Sequence, residues 1–433
     1  MTITLLRNVE LRSYLVANVV ARVCASGLTV LLGYQVYELT HSAFSLGLLG
    51  LIEAVPGVTL VLYGGDFADH HSRYRIVVST VTSLAVLSAV LAYISRSSHE
   101  TLVGVIYGVA FVSASIRAFE APAFVGLEAQ ILPADQVLRG IPILASSGRL
   151  ADVAGPVLAG FAWASLGALL TYATIAALLL LSAAWILLGI RDRPALPRSS
   201  HDGTWRRIIE GVSYVFRDEI LLGSMALDLF AVFFAGANAL LPIFANDILH
   251  VGPEGFGLLR SASAAGALVA ALAATRLLPA RRAGIALHAI IAAFGLCIII
   301  FALSRNFALS LAALFLAGLC DGTSMVIRHA ILRLASPDAL RGRIAAVKNV
   351  FTGSSNELGT FQSGLTASLL GASPTLCLGG AITLGLVGVV AWRARSLRGL
   401  DLEKLAQAGP LRGDDLEVMA DDPLMEIAAQ TLF

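Results

Sequence analysis

The chain has 433 residues, of which 57% are hydrophobic and 14% charged, against about 25% charged in soluble domains. That balance excludes a water-soluble fold. With 30 Lys and Arg against 29 Asp and Glu, the chain lacks the basic field that nucleic-acid binding requires, so no nucleic-acid partner is expected.

Taken in chain order, Arg7 and Arg12 precede an apolar run reaching Leu39 with no small-residue cleavage site. The run is longer than a signal h-region, so a first membrane span is expected rather than a cleavable leader. A spanning helix needs about 20 mostly apolar residues. Windows of that kind lie at 14–39, 44–66, 76–95, 101–123, 142–166 and 169–190, then at 220–245, 255–278, 283–303, 307–332, 344–370 and 374–394. The spacing predicts an all-α membrane protein with twelve transmembrane helices in two six-helix bundles, 1–190 and 220–396. The linker at 191–219 ends in Trp205-Arg206-Arg207-Ile208-Ile209, which reads as an amphipathic surface helix. From Asp401 the tail at 397–433 holds eight acids and two bases with Pro410 and Pro423, and is expected to be solvated and partly disordered.

Orientation follows the cations. If the N-terminus is cytoplasmic, 23 of the 30 Lys and Arg fall in cytoplasmic segments and two, Arg96 and Arg305, in outer loops. Five more, Arg22, Arg117, Arg149, Arg260 and Arg328, fall inside the windows. Both termini are therefore expected in the cytoplasm. The halves also look like copies. Pro133-Ala134-Asp135-Gln136-Val137-Leu138-Arg139-Gly140 follows the fourth window and Pro337-Asp338-Ala339-Leu340-Arg341-Gly342 the tenth, while the basic turn at 70–75 is echoed at 276–282. Such repeats characterise alternating-access carriers, with the substrate path between the halves.

Between windows two and three stands Gly65-Asp66-Phe67-Ala68-Asp69-His70-His71-Ser72-Arg73-Tyr74-Arg75. A glycine at Gly65 permits close helix approach, and Asp69, Arg73 and Arg75 are placed to latch the bundles. Its plain alternative is a basic turn at the membrane surface. On window five, Gly155, Pro156 and Gly160 should bend a span and let it pack tightly.

The pattern Gly65-x-x-x-Asp69-x-x-x-Arg73-x-Arg75 resembles the loop 2–3 signature of the major facilitator superfamily, with His70, Ser72 and Tyr74 as departures. Gly155-Pro156 with Gly160 resembles the span-five motif of its exporters. Tyr37 to Gly47, Ala121-Pro122-Ala123-Phe124 and Ile131-Leu132-Pro133 resemble the drug and siderophore exporter branch, which includes macrolide-efflux and enterobactin-exporter-like proteins. The resemblance implies proton-linked efflux of an amphipathic small molecule from the bacterial inner membrane. That branch often carries Arg where this chain has Asp152.

Ionisable residues inside the windows are costly unless paired or facing water, which makes them the best guide to mechanism. Arg117 with Glu120 and Arg149 with Asp152 are i,i+3 pairs, and Asp321 and Arg328 share a helical face. Each pair reads equally as a structural or gating ion pair or as a proton or substrate site. Glu53 and Asp228 have no cation within a turn. An unpartnered carboxyl in low dielectric holds its proton until the site opens to water, so Glu53 comes first for proton coupling, then Asp228 and Asp152. The alternative pairs Glu53 across helices with Arg22 or Arg117. Asn356 and Glu357, in the polar stretch Thr352 to Gly359, are candidate cavity residues, and Phe230 and Phe234 with Phe233 could line an apolar cavity.

Cys24, Cys297, Cys320 and Cys377 lie far apart inside apolar runs and read as small buried hydrophobes. No P-loop, zinc spacing or nucleophile elbow occurs in the sequence, so no metal, cofactor or enzymatic activity is expected. A monomer whose partners are a small molecule, protons and the lipid bilayer is the expected form. The alternatives are an uptake or lipid-flipping carrier of the same fold, and a non-transporting membrane receptor or partner subunit.

Overall fold

The computed structural model describes residues 9–97, 99–132, 137–193, 212–216, 218–277, 281–337 and 340–408. The expected surface helix at 205–209 and the tail beyond 408 lie outside these residues, as do parts of the two Leu-Arg-Gly repeats.

The described residues form helices joined by short turns. The first half comprises α1 (Val9–Thr40), α2 (Ala43–Thr59), α3 (Val61–His70), α4 (Arg73–Ile94), α5 (His99–Ile131) and α6 (Val137–Gly189). The second comprises α7 (Glu219–Ala235), α8 (Gly252–Leu277), α9 (Ala283–Leu303), α10 (Phe307–Ala335), α11 (Arg341–Leu370) and α12 (Ala372–Arg393). Two short helices follow, α13 (Arg395–Arg398) and α14 (Leu402–Ala408). Capping side chains start several of them. Ser42, Ser72, Asp218 and Asn306 each accept a hydrogen bond from a first-turn N–H that has no carbonyl partner within its helix.

Nine helices among the described residues are long and apolar enough to cross a membrane, and α2 with α3 makes a tenth span bent by 51°. Pro56 sits inside α2, and the break comes one turn later at Leu60. One of the nine, Ile143–Gly189, has 47 residues. Straight, it would measure about 70 Å, more than twice the ~30 Å hydrocarbon core. It breaks at Gly167, whose φ of 73° and ψ of 176° suit glycine alone, and so supplies both the 142–166 and 169–190 windows. The twelfth span is α11, too polar along Thr352 to Gly359 to stand out by hydropathy, yet packed against α2 and α7.

Two expectations need correction. The window at 220–245 is not one regular helix: α7 stops at Ala235, and the chain continues through a 3-10 turn, Ala237–Leu240, into a π-helical turn, Phe244–Ile248. Gly236, with ψ of 91°, and Pro242, which has no N–H, account for the interruption. Pro156 does not break α6; the non-helical torsions in that element are at Gly167.

Within the first half, α1 packs on α5 and α6, α4 on α5 and α6, and α2 and α3 on α5. Within the second, α8 and α9 pack on α10, α12 on α9, and α7 on α11 and α12. The halves meet where α2 crosses α11 and where α6 crosses α8. Glycine makes both crossings close. A Cβ at Gly364 would overlap the backbone of Gly47, one at Gly160 would come within 2.5 Å of the Pro253 carbonyl, and one at Gly257 would overlap the Pro156 carbonyl. Backbone contact of that kind is how membrane helices associate without a hydrophobic driving force.

All four glycines lie toward one face, marked by the turns at 41–42, 167, 250–252 and 371, which we call the distal face. There the Tyr34 hydroxyl donates to Asn246 Oδ1 at 3.0 Å, the Tyr37 hydroxyl to the Asp247 carboxylate, and the Tyr34 ring stacks on Phe256 at 5.2 Å. The opposite, terminal face carries a matching clasp in each half. Arg75 Nε lies 2.9 Å from Asp192, just past α6, and Ser72 donates to the same carboxylate at 2.5 Å. In the second half Arg281 Nε lies 2.9 Å from Glu403, just past α12.

Candidate functional site

Between the halves, below the distal closure, lies a cavity with two lobes of about 240 and 360 Å³. Both fall in or near the ~300–1,000 Å³ range of small-molecule sites. Thr29, Val30, Glu53, Arg260 and Glu357 line both lobes. The first lobe adds Gly33, Gly50, Phe256, Phe294, Asp321 and Asn356; the second adds Arg22, Arg117, Glu120, Phe124 and Asp152.

Each charged side chain arrives on a helix that also crosses or faces the other half. Arg22 comes from α1, where its Nε donates to Asn18 Oδ1 at 3.0 Å one turn back. Glu53 comes from α2, three residues past Gly50 and its close approach to Thr360 of α11. Arg117 on α5 reaches Glu53 Oε1 at 3.0 Å and donates to Thr29 Oγ1 at 2.9 Å. Arg260 on α8 and Glu357 on α11 enter from the second half, and Glu357 lies in the combined field of Glu53, Arg117 and Arg260. Among the described residues Glu357 makes no ion pair within 4.0 Å. Two carboxylates, one from each half, thus face two arginines, also one from each half.

A second polar cluster lies in the second half alone. Arg328 of α10 is ion-paired with Asp228 of α7 and lies 3.8 Å from Asp321. Asp228 also accepts from Thr352 Oγ1 of α11 at 3.4 Å.

The structure therefore corrects the reading of Glu53 and Asp228 as carboxyls without cations. Both have arginine partners, on different helices, because a buried charge is stable only when paired and residues within a turn are not the only ones in reach. Arg117 likewise passes over Glu120, its neighbour in sequence, for Glu53. Asp152 and Arg149 are both exposed to the space between the halves, and Arg149 lies in the field of Asp321 across it.

The aromatic expectation is also corrected. Phe230, Phe233 and Phe234 stack on one another, with Phe230 half-exposed, and none lines the cavity; the rings that do are Phe124, Phe256 and Phe294. Asn356 and Glu357 are cavity residues, as their polarity at bilayer depth suggested.

At the loop 2–3 motif, a Cβ on Gly65 would meet nothing within 4 Å, whereas one on Gly64 would overlap the Ala118 carbonyl of α5. Close approach belongs to the neighbouring glycine. Arg73 pairs with Asp69 at 3.2 Å and donates to the Gly126 carbonyl at 3.3 Å, while Arg75 holds Asp192. These contacts stay within the first half and do not bridge the two. Gly155 packs on α1, where its Cβ would lie 2.8 Å from Ser26, and Gly160 makes the α8 crossing.

Sequence reasoning missed Lys348 and His329, whose side chains meet at 2.6 Å. Lys348 had been counted with the loop cations, although it stands two turns inside α11.

Twelve helices in two packed halves around a central charged cavity define a membrane transporter. The family model of the Major Facilitator Superfamily matches residues 14–360, and the chain belongs to that superfamily. Its relatives include the enterobactin exporter EntS of Citrobacter koseri, 23% identical over 341 residues covering 77% of this chain and 79% of the relative. The Escherichia coli protein of the same name is 23% identical over 342 residues with the same coverage. Among solved structures, the nucleoside transporter NupG aligns with a TM-score of 0.71 at 14% identity, covering 90% of this chain and 100% of that one. A bacterial homologue of the lysosomal transporter Spinster, inward-facing and unoccupied, aligns at 0.65 and 15% identity over 93% and 98%.

Proposed function

We propose that this transporter exports an amphipathic small molecule, a drug or siderophore, in exchange for protons, by rocking its two halves about the central cavity. The observation that carries the reading is Glu357, a carboxyl at the junction of both lobes that faces Glu53 of the other half and shares Arg117 and Arg260 with it. A carboxyl so placed binds a proton when the chamber opens to the acidic side and yields it when substrate enters from the other. Glu357 and Glu53 are the proposed coupling pair; Asp152, exposed in the same lobe, is next, and Asp228 is the weakest of the original candidates because Arg328 neutralises it.

With both termini in the cytoplasm, as the cation distribution implies, the distal face is outside and the structure is open inward. Export rather than uptake is supported by the names of the curated relatives and by Gly155-Pro156 with Gly160. The test is proton movement in inverted membrane vesicles given macrolides or catecholate siderophores. Substrate should release protons from vesicles bearing the wild-type chain, and Glu357→Gln should reduce that release by about tenfold or more while the protein level stays normal. Wild-type proton release from the Gln variant would remove Glu357 from the mechanism, and accumulation in the opposite sense would establish uptake.

A further inference from the structure

The second polar cluster has a charge left over. Arg328 is held between Asp228 and Asp321, and Thr352 supports Asp228. Lys348, one turn before Thr352 on α11, has no carboxylate within 4.0 Å among the described residues. Its ammonium group instead meets Nε2 of His329, whose ring is also hydrogen-bonded to the Met325 carbonyl one turn back on α10. With one ring nitrogen donating to that carbonyl, the other accepts from lysine, so the imidazole is neutral and fixes the ammonium. A lysine has three N–H donors, and this contact uses one.

Across the gap, Arg149 of α6 lies in the field of His329 and Asp321, and both Arg149 and His329 are exposed to the space between the halves. The other charges facing this place are Asp152 beside Arg149, and Asp228, Asp321 and Arg328 behind Lys348. Rocking the halves shut would carry Arg149 toward Lys348. Two cations brought together away from water repel, and neither has a carboxylate of its own within ion-pair distance. Closure therefore needs an anion between them.

We propose that Lys348 and Arg149, with His329 positioning the lysine, bind an anionic group (a carboxylate, phosphate or phenolate) of the transported molecule at the terminal-face mouth of the cavity. This rests on the transport reading and adds to it a substrate class: molecules with an acidic group at one end and an apolar body that reaches the Phe124 and Phe294 walls.

The test uses the full chain in nanodiscs of zwitterionic lipid, so that no headgroup supplies the anion, with naphthoate and its uncharged isostere naphthamide as probes. Naphthoate should raise the thermal unfolding midpoint and naphthamide should not. The naphthoate shift should vanish in Lys348→Met and in Arg149→Gln, persist in Lys348→Arg, and persist in the control Arg305→Met, which removes an exposed distal cation. Arg149 is exposed, so its variant keeps the test open if Lys348→Met fails to fold. Equal shifts with both probes, no shift with naphthoate, or a shift that survives Arg149→Gln would each overturn the proposal. Selective naphthoate binding by a protein that moves no protons in vesicles would leave this site standing and remove the coupling mechanism instead.

Discussion

At the centre of the cavity Glu53 and Arg117 meet across α2 and α5, the carboxylate mostly buried and the guanidinium one-third exposed. Removing one partner leaves the other without its counter-charge in a partly dry site. Arg117→Met should therefore lower stability by about 1–3 kcal/mol, read from thermal unfolding in detergent. The pair Glu53→Gln with Arg117→Gln should recover most of that loss, because two amides can still hydrogen-bond. A double variant no more stable than the single would show that Arg117 acts through Thr29 and packing alone. That pairing was open in the sequence as an alternative but not decided there. Spacing along one helix ranks Glu120 as the partner of Arg117, and only the angle at which α2 passes α5 selects Glu53. Polarity at bilayer depth was the stronger signal: it marked Asn356 and Glu357 before their surroundings were known. Lys348 escaped notice because a cation near a span end is ordinary.

At the scale of elements, the crossings of α2 with α11 and α6 with α8 close the distal face through backbone contact. Gly364→Val should force those helices apart, since even a Cβ there overlaps Gly47. With spin labels at His41→Cys and His250→Cys in a cysteine-free background, the inter-label distance should lengthen relative to the same pair with Gly364 intact. An unchanged distance would mean that the closure is held by Tyr34 and Tyr37 with their partners on the π-helical turn. Helix number and order were legible because each span is an apolar window of the required length. The interruption after Ala235 was not, since Gly236 and Pro242 are tolerated inside membrane helices and their effect depends on what replaces the lost hydrogen bonds. Nor does hydropathy separate Gly64 from Gly65; which of them touches α5 is fixed by helix rotation.

For the whole molecule, the repeat read from Leu-Arg-Gly and the basic turns reappears as a pair of equivalent clasps. Each ties the turn after a half's second span to the segment that follows its sixth. The Ser72 hydroxyl and the Arg75 guanidinium hold the Asp192 carboxyl below its ordinary range. A depressed carboxylate contributes stability above its unfolded-state pKa and loses it as pH falls through the lowered one. The clasp should thus be intact at all physiological pH values and open only in strong acid. Being exposed, it contributes little: Asp192→Asn should cost at most about 0.2–1 kcal/mol at neutral pH, with the difference from wild type shrinking as the pH is lowered toward 3. A difference that grows in acid would mean that Asp192 is not the titrating group.

Those clasps have a consequence for the peptide that joins the halves. Because the exit of α6 is fastened to the first half and Glu219, at the entry of α7, accepts from Ser396 of the second at 2.6 Å, the intervening stretch serves as a tether and bears no part of the motion. Two separately translated polypeptides, ending and restarting between Pro197 and Asp202, should therefore find each other in the bilayer through the glycine crossings and work as a nicked carrier.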